Sequence, residues 1–162
     1  QAQMPGNEDL TYSAGLAVTA SGHFVMGEEN LFKVNPADGS TTVVAGPRAA
    51  SAVAQHTFGM ATDLVADSNG TLYVADDGIV KIGADGSVTP FVASLPGAQA
   101  LAFGPDDTLY AFIWDDTSRL VKISPTGVVT DLPGTTLSWT PTTWSSPRTA
   151  RCTSRATGRS TR

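Results

Sequence analysis

The sequence predicts an all-β fold made of a repeated four-stranded unit. Three segments of the 162-residue chain overlay as copies of one pattern, and their leading residues Leu16, Leu64 and Leu101 are 48 and 37 positions apart. Each copy has four short runs of apolar and β-branched residues, separated by the Gly, Asp, Asn, Ser and Pro clusters that favour tight turns. No stretch of residues 13–137 sustains the 3.6-residue period of a helix, so each run is interpreted as an antiparallel strand.

The second copy shows the four strands most clearly. It reads DLVADSNGTLYVADDGIVKIGADGSVTPFVA from Asp63 to Ala93, and the other copies run from Gly15 to Gly46 and from Ala100 to Gly134. The turns predicted in the second copy are Asp67–Gly70, Asp76–Gly78 and Gly83–Ser87. The strands predicted around them are Leu64–Ala66, Thr71–Ala75, Ile79–Ile82 and Val88–Ala93.

A four-stranded sheet repeated at about 40 residues is typical of a β-propeller blade, because one small sheet cannot bury both faces until neighbours stack on it. We therefore predict a partial β-propeller of three blades, at about 13–46, 60–93 and 98–134, within a body of residues 13–137. Residues 1–12 form a lead-in and residues 138–162 a non-native or disordered tail. Three blades leave two open faces, so we expect missing blades or another chain to cover them.

The residues of the repeat also resemble a known family. GLAV from Gly15, NGTLYVAD from Asn69, IVKI from Ile79, an Asp-Gly turn and a strand ending Val-Ala-Gly resemble NHL-repeat propellers. That family usually closes a ring of about six blades. The resemblance, with a chain that starts at Gln1, favours an extracytoplasmic or secreted bacterial protein.

A more distant resemblance, to the gluconolactonase and regucalcin propellers, bears on metal binding. Those proteins hold a divalent metal with acidic and amide side chains placed just before the first strand of each blade. The matching positions here are Ala14, Thr62 and Gln99, and two of the three are poor ligands for a hard cation. We therefore expect no metal or other cofactor.

Charge and cysteine content exclude several classes of partner. All fifteen acidic residues lie before residue 138, whereas five of the ten basic residues are arginines in 138–162. The acidic body disfavours nucleic acid and anionic membrane surfaces, and no run approaches the eighteen apolar residues of a membrane span. The one cysteine, Cys152, lies in the tail, so the body has neither disulfides nor thiolate metal sites.

Three acidic pairs recur after the second strand of each repeat, and they are the candidate binding residues. They are Glu28 and Glu29, Asp76 and Asp77, and Asp115 and Asp116. They could line one rim and bind a cation or a basic partner, although aspartates that cap tight turns explain the same pattern and are favoured. Trp114 lies at a strand end and could stack on a sugar or peptide, while Tyr73 and Tyr110 hold matching positions predicted to be blade core.

No catalytic constellation is visible in the body. It contains no Gly-x-Ser-x-Gly motif, phosphate-binding loop or Ser/His/Asp set, and His23 and His56 are interpreted as ordinary histidines rather than general bases. The predicted function is a non-catalytic binding or scaffold segment for an unknown protein, peptide or carbohydrate. Two alternatives stay open: a fragment of a gluconolactonase- or streptogramin-lyase-like enzyme with its catalytic residues on missing blades, and a frameshifted product without function.

The tail, SWTPTTWSSPRTARCTSRATGRSTR, would ordinarily be interpreted as a disordered basic arm. Codon rules suggest another origin. The codons of Trp139 and Thr140 give GAC, an Asp codon, when read from the third base. With GC-rich choices at the free bases, the shifted tail reads DLVVAADGTLYVAGDGAVY, close to the sequence from Asp63 onward. We hypothesise that the tail is a fourth blade translated out of frame after about Leu137.

Overall fold

The computed structural model describes residues 14–27, 29–115, 117–135 and 137–138, and these form three antiparallel sheets of consecutive strands. The first sheet contains β1 (Gly15–Thr19), β2 (Gly22–Met26), β3 (Leu31–Val34) and β4 (Thr41–Ala45). The second contains β5 (Asp63–Ala66), β6 (Leu72–Ala75), β7 (Ile79–Ile82) and β8 (Val88–Val92). The third contains β9 (Ala98–Phe103), β10 (Leu109–Ile113), β11 (Thr117–Ile123) and β12 (Val129–Asp131), and the short β13 (Leu137–Ser138) pairs with the start of β11.

The predicted all-β fold is therefore confirmed. In the second sheet each observed strand begins and ends within one residue of a run predicted from the sequence. A single 3-10 turn, Ala52–Ala54, interrupts the connection between the first two sheets. None of the described segments forms a helix of the length and apolarity that a membrane crossing requires. The predicted lead-in of residues 1–12 and tail residues 139–162 lie outside the described residues, so the frameshift hypothesis stays a prediction.

Aspartates shape the turns between the strands. Asp67 accepts hydrogen bonds from the N–H groups of Asn69 (3.0 Å) and Thr71 (2.8 Å), which satisfies backbone donors that the sheet leaves unpaired. Asp85 plays the same part between β7 and β8, where hydrogen bonds from the hydroxyl and N–H of Ser87 hold its pKa below the usual range.

Apolar side chains fill the two spaces between neighbouring sheets. Since successive residues of a strand point to opposite faces, the middle sheet contributes to both cores. Leu64 and Val74 face the first sheet, while Tyr73 and Ala75 face the third. The Tyr73 ring packs edge-on against Phe103, with ring centroids 5.2 Å apart. Tyr73 is thus a core residue, as its position in the repeat predicted.

The first strands of the three sheets lie side by side, β1 against β5 and β5 against β9. At Gly15 a Cβ would come within 2.5 Å of the Leu64 backbone nitrogen, so β1 and β5 approach closely. Between β5 and β9 polar groups make the contact: the Thr62 hydroxyl donates to the Ala98 carbonyl (2.8 Å), and the Asp63 carboxylate accepts the Leu101 N–H (2.7 Å). We call the three sheets blade 1, blade 2 and blade 3.

Candidate binding rim

We define the rim as the ends of the blades at which β1, β5 and β9 begin. The loops after β2, β6 and β10 lie at the same ends, because β2, β6 and β10 run antiparallel to these strands. The sequence-predicted acidic pairs and Trp114 all belong to these loops. Glu28 and Asp116 lie outside the described residues, and Glu29 is exposed.

Asp76 anchors the connection that leads from blade 1 into blade 2. Its side chain is only 7% exposed, and its Oδ1 accepts hydrogen bonds from the N–H groups of Gly59 (2.8 Å) and Met60 (2.9 Å). Asp77, the next residue, is exposed and has a left-handed backbone with φ of 53°. The two members of this pair therefore have different environments, since one carboxylate binds backbone amides and the other faces solvent.

His56 lies next to Asp76. Its Nε2 is 3.4 Å from the second carboxylate oxygen, Oδ2, and its ring packs edge-on against the buried Phe58 with centroids 4.7 Å apart. The His56 side chain is 31% exposed, so the ring is partly accessible to solvent. This pairing of a histidine with a carboxylate at the rim joins residues twenty positions apart in the sequence.

Asp115 takes part in a turn and an ion pair. Its Oδ1 accepts the N–H of Thr117 (2.9 Å), and its Oδ2 accepts a hydrogen bond from Arg119 Nη1. The Thr117 N–H and the Arg119 guanidinium hold the pKa of Asp115 below its usual range, so this exposed carboxylate is charged at neutral pH. Arg119 also contacts Asp131 through Nε at 3.2 Å, which links the loop after β10 to β12.

The three positions that the sequence analysis compared with metal ligands are occupied as follows. Thr62 donates its hydroxyl to the Ala98 carbonyl, Gln99 is exposed at the start of β9, and the Ala14 side chain has no ligating atom. Among the described residues, no group of three His, Cys, Asp or Glu side chains is arranged to hold a metal ion. Asp63, which sequence reasoning did not single out, joins blade 2 to blade 3 through the Leu101 N–H.

Trp114 is exposed on a firmly held backbone. The residue is 68% exposed, while its backbone N–H donates to the carbonyl of Gly97 at 2.6 Å. Gly97 is followed by Ala98, whose carbonyl accepts the Thr62 hydroxyl. Trp114 and the segment around Thr62 therefore lie on the same part of the rim. Met60, two residues before Thr62, is 74% exposed. Two large apolar side chains thus project from adjoining parts of the rim.

We expect Gly97→Ala to lower the free energy of unfolding by about 1 kcal/mol more than Gly39→Ala. Both glycines have left-handed backbones, with φ of 78° and 72°, so both substitutions carry the same φ penalty. Only at Gly97 would the new Cβ also come within 2.4 Å of the Trp114 carbonyl oxygen, because nothing lies within 4 Å of Gly39. Urea unfolding of both variants measures this difference. Equal losses of unfolding free energy would mean that the backbone at Trp114 shifts to accommodate the new Cβ without destabilising the protein.

A separate cleft of about 490 Å³ lies at the other end of the blades, between blade 1 and blade 2. It is lined by residues of the turns away from the rim, among them Ser21, Asn69 and Gly83, and by Lys33. The Lys33 ammonium group stands 5.8 Å from the centre of the Phe24 ring. None of the sequence-predicted site residues lines this cleft.

Comparison with known proteins defines the class of fold. No protein-family model and no curated protein matches the chain. Among solved structures it is similar to virginiamycin B lyase from Staphylococcus aureus, with a TM-score of 0.56 and 17% identity over 78% of this chain and 43% of that one. It is also similar to a gluconolactonase from Xanthomonas campestris, with a TM-score of 0.58 and 14% identity over 76% of this chain and 48% of that one.

A structure of a nidogen–laminin complex matches with a TM-score of 0.59 and 14% identity, over 74% of this chain and 47% of that one. These similar structures are β-propeller proteins, so the described residues are successive blades of a β-propeller. The chain spans just under half the length of each of these structures. The narrower NHL assignment stays a prediction.

Proposed function

We propose that this chain is a non-catalytic binding segment of a β-propeller, and that its rim takes a peptide segment of a protein partner. The observation that carries the proposal is the exposed Trp114 on a backbone fixed by Gly97. A large aromatic side chain held on a rigid element loses little conformational entropy on binding, and tryptophan is enriched among the residues that dominate protein interfaces.

The surroundings of Trp114 favour a peptide with an apolar anchor and basic flanks. Met60 adds a flexible apolar surface, a residue type enriched at interfaces. Asp77 and Glu29 are exposed acids on the same rim, and the charge of the body is strongly negative, so cationic segments are attracted.

The proposal is tested with a library of immobilised peptides that carry one apolar residue between lysines or arginines. We expect selected peptides to bind at least tenfold more weakly to Trp114→Ala. Val128→Ala is the matched control, since Val128 is 61% exposed but lies in the turn between β11 and β12, away from the rim. Unchanged binding by Trp114→Ala, or binding only to oligosaccharides on a parallel glycan array, would contradict the peptide proposal.

A fragment of a propeller enzyme is a second candidate, and the pairing of His56 with Asp76 favours it. A half-exposed imidazole beside a carboxylate is an arrangement used in general acid–base catalysis. Similar structures include a lyase and a gluconolactonase. Stoichiometric calcium or another divalent ion in a longer, frame-corrected protein would favour this candidate over the scaffold. The DNA sequence of the locus tests the frameshift alternative, which fails if no open frame continues with further blades.

A further inference from the structure

The two outer faces of the three-blade segment are the two halves of one recurring interface. Each blade presents a forward face to the next blade, built around Phe24 in blade 1 and Tyr73 in blade 2. Each blade also presents a backward face to the previous blade, built around Leu64 in blade 2 and Leu101 in blade 3. Blade 3 has a forward face and blade 1 a backward face with no described blade against them.

Exposure at equivalent positions shows that the backward face of blade 1 is open along β1, whereas Phe32 of β3 on the same face is buried. The strand registers pair Leu16 with Val25, Leu64 with Val74 and Leu101 with Ala111, so the three leucines occupy one position of the repeat. Leu64 and Leu101 are 1% and 6% exposed, but Leu16 is 64% exposed. Val18, on the same face of β1 as Leu16, is 63% exposed.

The forward face of blade 3 is open in the same way. The registers pair Met26 with Leu31, Ala75 with Ile79 and Phe112 with Leu120, which makes Leu31, Ile79 and Leu120 equivalent. The first two are fully buried, whereas Leu120 is 37% exposed. Its neighbours on this face include Phe112, Tyr110, Ala100 and Ala102 beside the exposed Lys122, so the face is largely apolar as well as open.

We propose that a second copy of this chain covers both faces, with blade 3 of each copy stacked on blade 1 of the other. A forward face and a backward face already fit each other twice inside the chain, between blades 1 and 2 and between blades 2 and 3. The described blades span 43% to 48% of each similar propeller, so two copies supply nearly the whole of one ring. Two identical contacts related by a two-fold axis close the assembly and leave no open face for further growth.

Light scattering coupled to size-exclusion chromatography tests the pairing on the full 162-residue chain. Between about 1 and 100 µM we expect a shift towards a species of twice the 16.7 kDa chain mass. Val18→Lys on the backward face and Leu120→Lys on the forward face should each give monomers, because each change places a charge in both contacts. Val128→Lys is the matched control for Val18→Lys, since the two valines are 61% and 63% exposed, and it should still pair.

Circular dichroism confirms that each variant keeps its β structure, so that loss of pairing is not mistaken for loss of folding. A wild-type chain that stays monomeric at 100 µM would overturn the proposal and mean that other blades or another protein cover these faces. Open-ended assemblies larger than a pair would overturn it as well, and so would pairing that survives both lysine substitutions. Peptide binding at the rim is measured separately, so either proposal can fail without the other.

Discussion

Leu64→Ala is expected to lower the free energy of unfolding by about 2 to 5 kcal/mol. Leu64 is 1% exposed in the core between blades 1 and 2, where it packs with Ala17, Phe24 and Val74. Its backbone nitrogen lies so close to Gly15 that β1 and β5 cannot move further together to fill the space left by the side chain. The loss therefore combines the lost burial of apolar surface with a cavity that does not collapse.

Leu16→Ala is the matched control, because Leu16 holds the same position of the repeat in blade 1 and is 64% exposed. In the monomer we expect it to cost less than about 0.5 kcal/mol. Urea unfolding followed by tryptophan fluorescence measures both variants at sub-micromolar concentration, where pairing between copies does not contribute. A comparable loss for both would mean that another part of the same chain buries Leu16.

The contrast between these two leucines shows which features of the fold can be predicted from the sequence and which cannot. The strand pattern and the turn residues are local features of the sequence. They correctly predict three sheets and, in blade 2, the boundaries of the individual strands. Whether a face of a strand is covered depends on the neighbouring blade. Leu16 and Leu64 both lie in short apolar strands, and the residues around them do not indicate which of the two is covered. The sequence therefore predicts the repeat, but it cannot say which copy is at the open side of the stack.

At the rim, the sequence predicts where acidic residues recur but not what each one does. Asp76 and Asp115 hold similar places after β6 and β10, yet Asp76 binds amides sixteen and seventeen residues earlier in the chain. Asp115 binds the N–H of Thr117, two residues later, which is the local turn contact that the aspartate pattern suggests. Contacts made within a turn can be predicted from spacing, whereas the contact of Asp76 depends on the path of the connection after blade 1.

Asp76→Ala is expected to lower the free energy of unfolding by about 1 to 3 kcal/mol. The carboxylate is 7% exposed and accepts charge-assisted hydrogen bonds from the N–H groups of Gly59 and Met60. Without it, the two donors lose their partner and the connection is released from the end of β6. Hydrogen exchange at these two amides should accelerate more than exchange within β6 and β7, because the loss of order begins in the connection.

Asp38→Ala is the matched control for Asp76→Ala, since Asp38 also accepts a backbone N–H, from Ser40 at 2.9 Å, but is exposed. It should cost less than Asp76→Ala because water replaces the lost acceptor. Asp76→Asn should recover part of the stability, since an amide oxygen can still accept from Gly59 and Met60. If Asp76→Ala costs no more than Asp38→Ala and leaves exchange at Gly59 and Met60 unchanged, the carboxylate does not anchor the rim. The exposed Met60 would then owe its position to the packing of Phe58, which is 2% exposed in the core between blades 1 and 2.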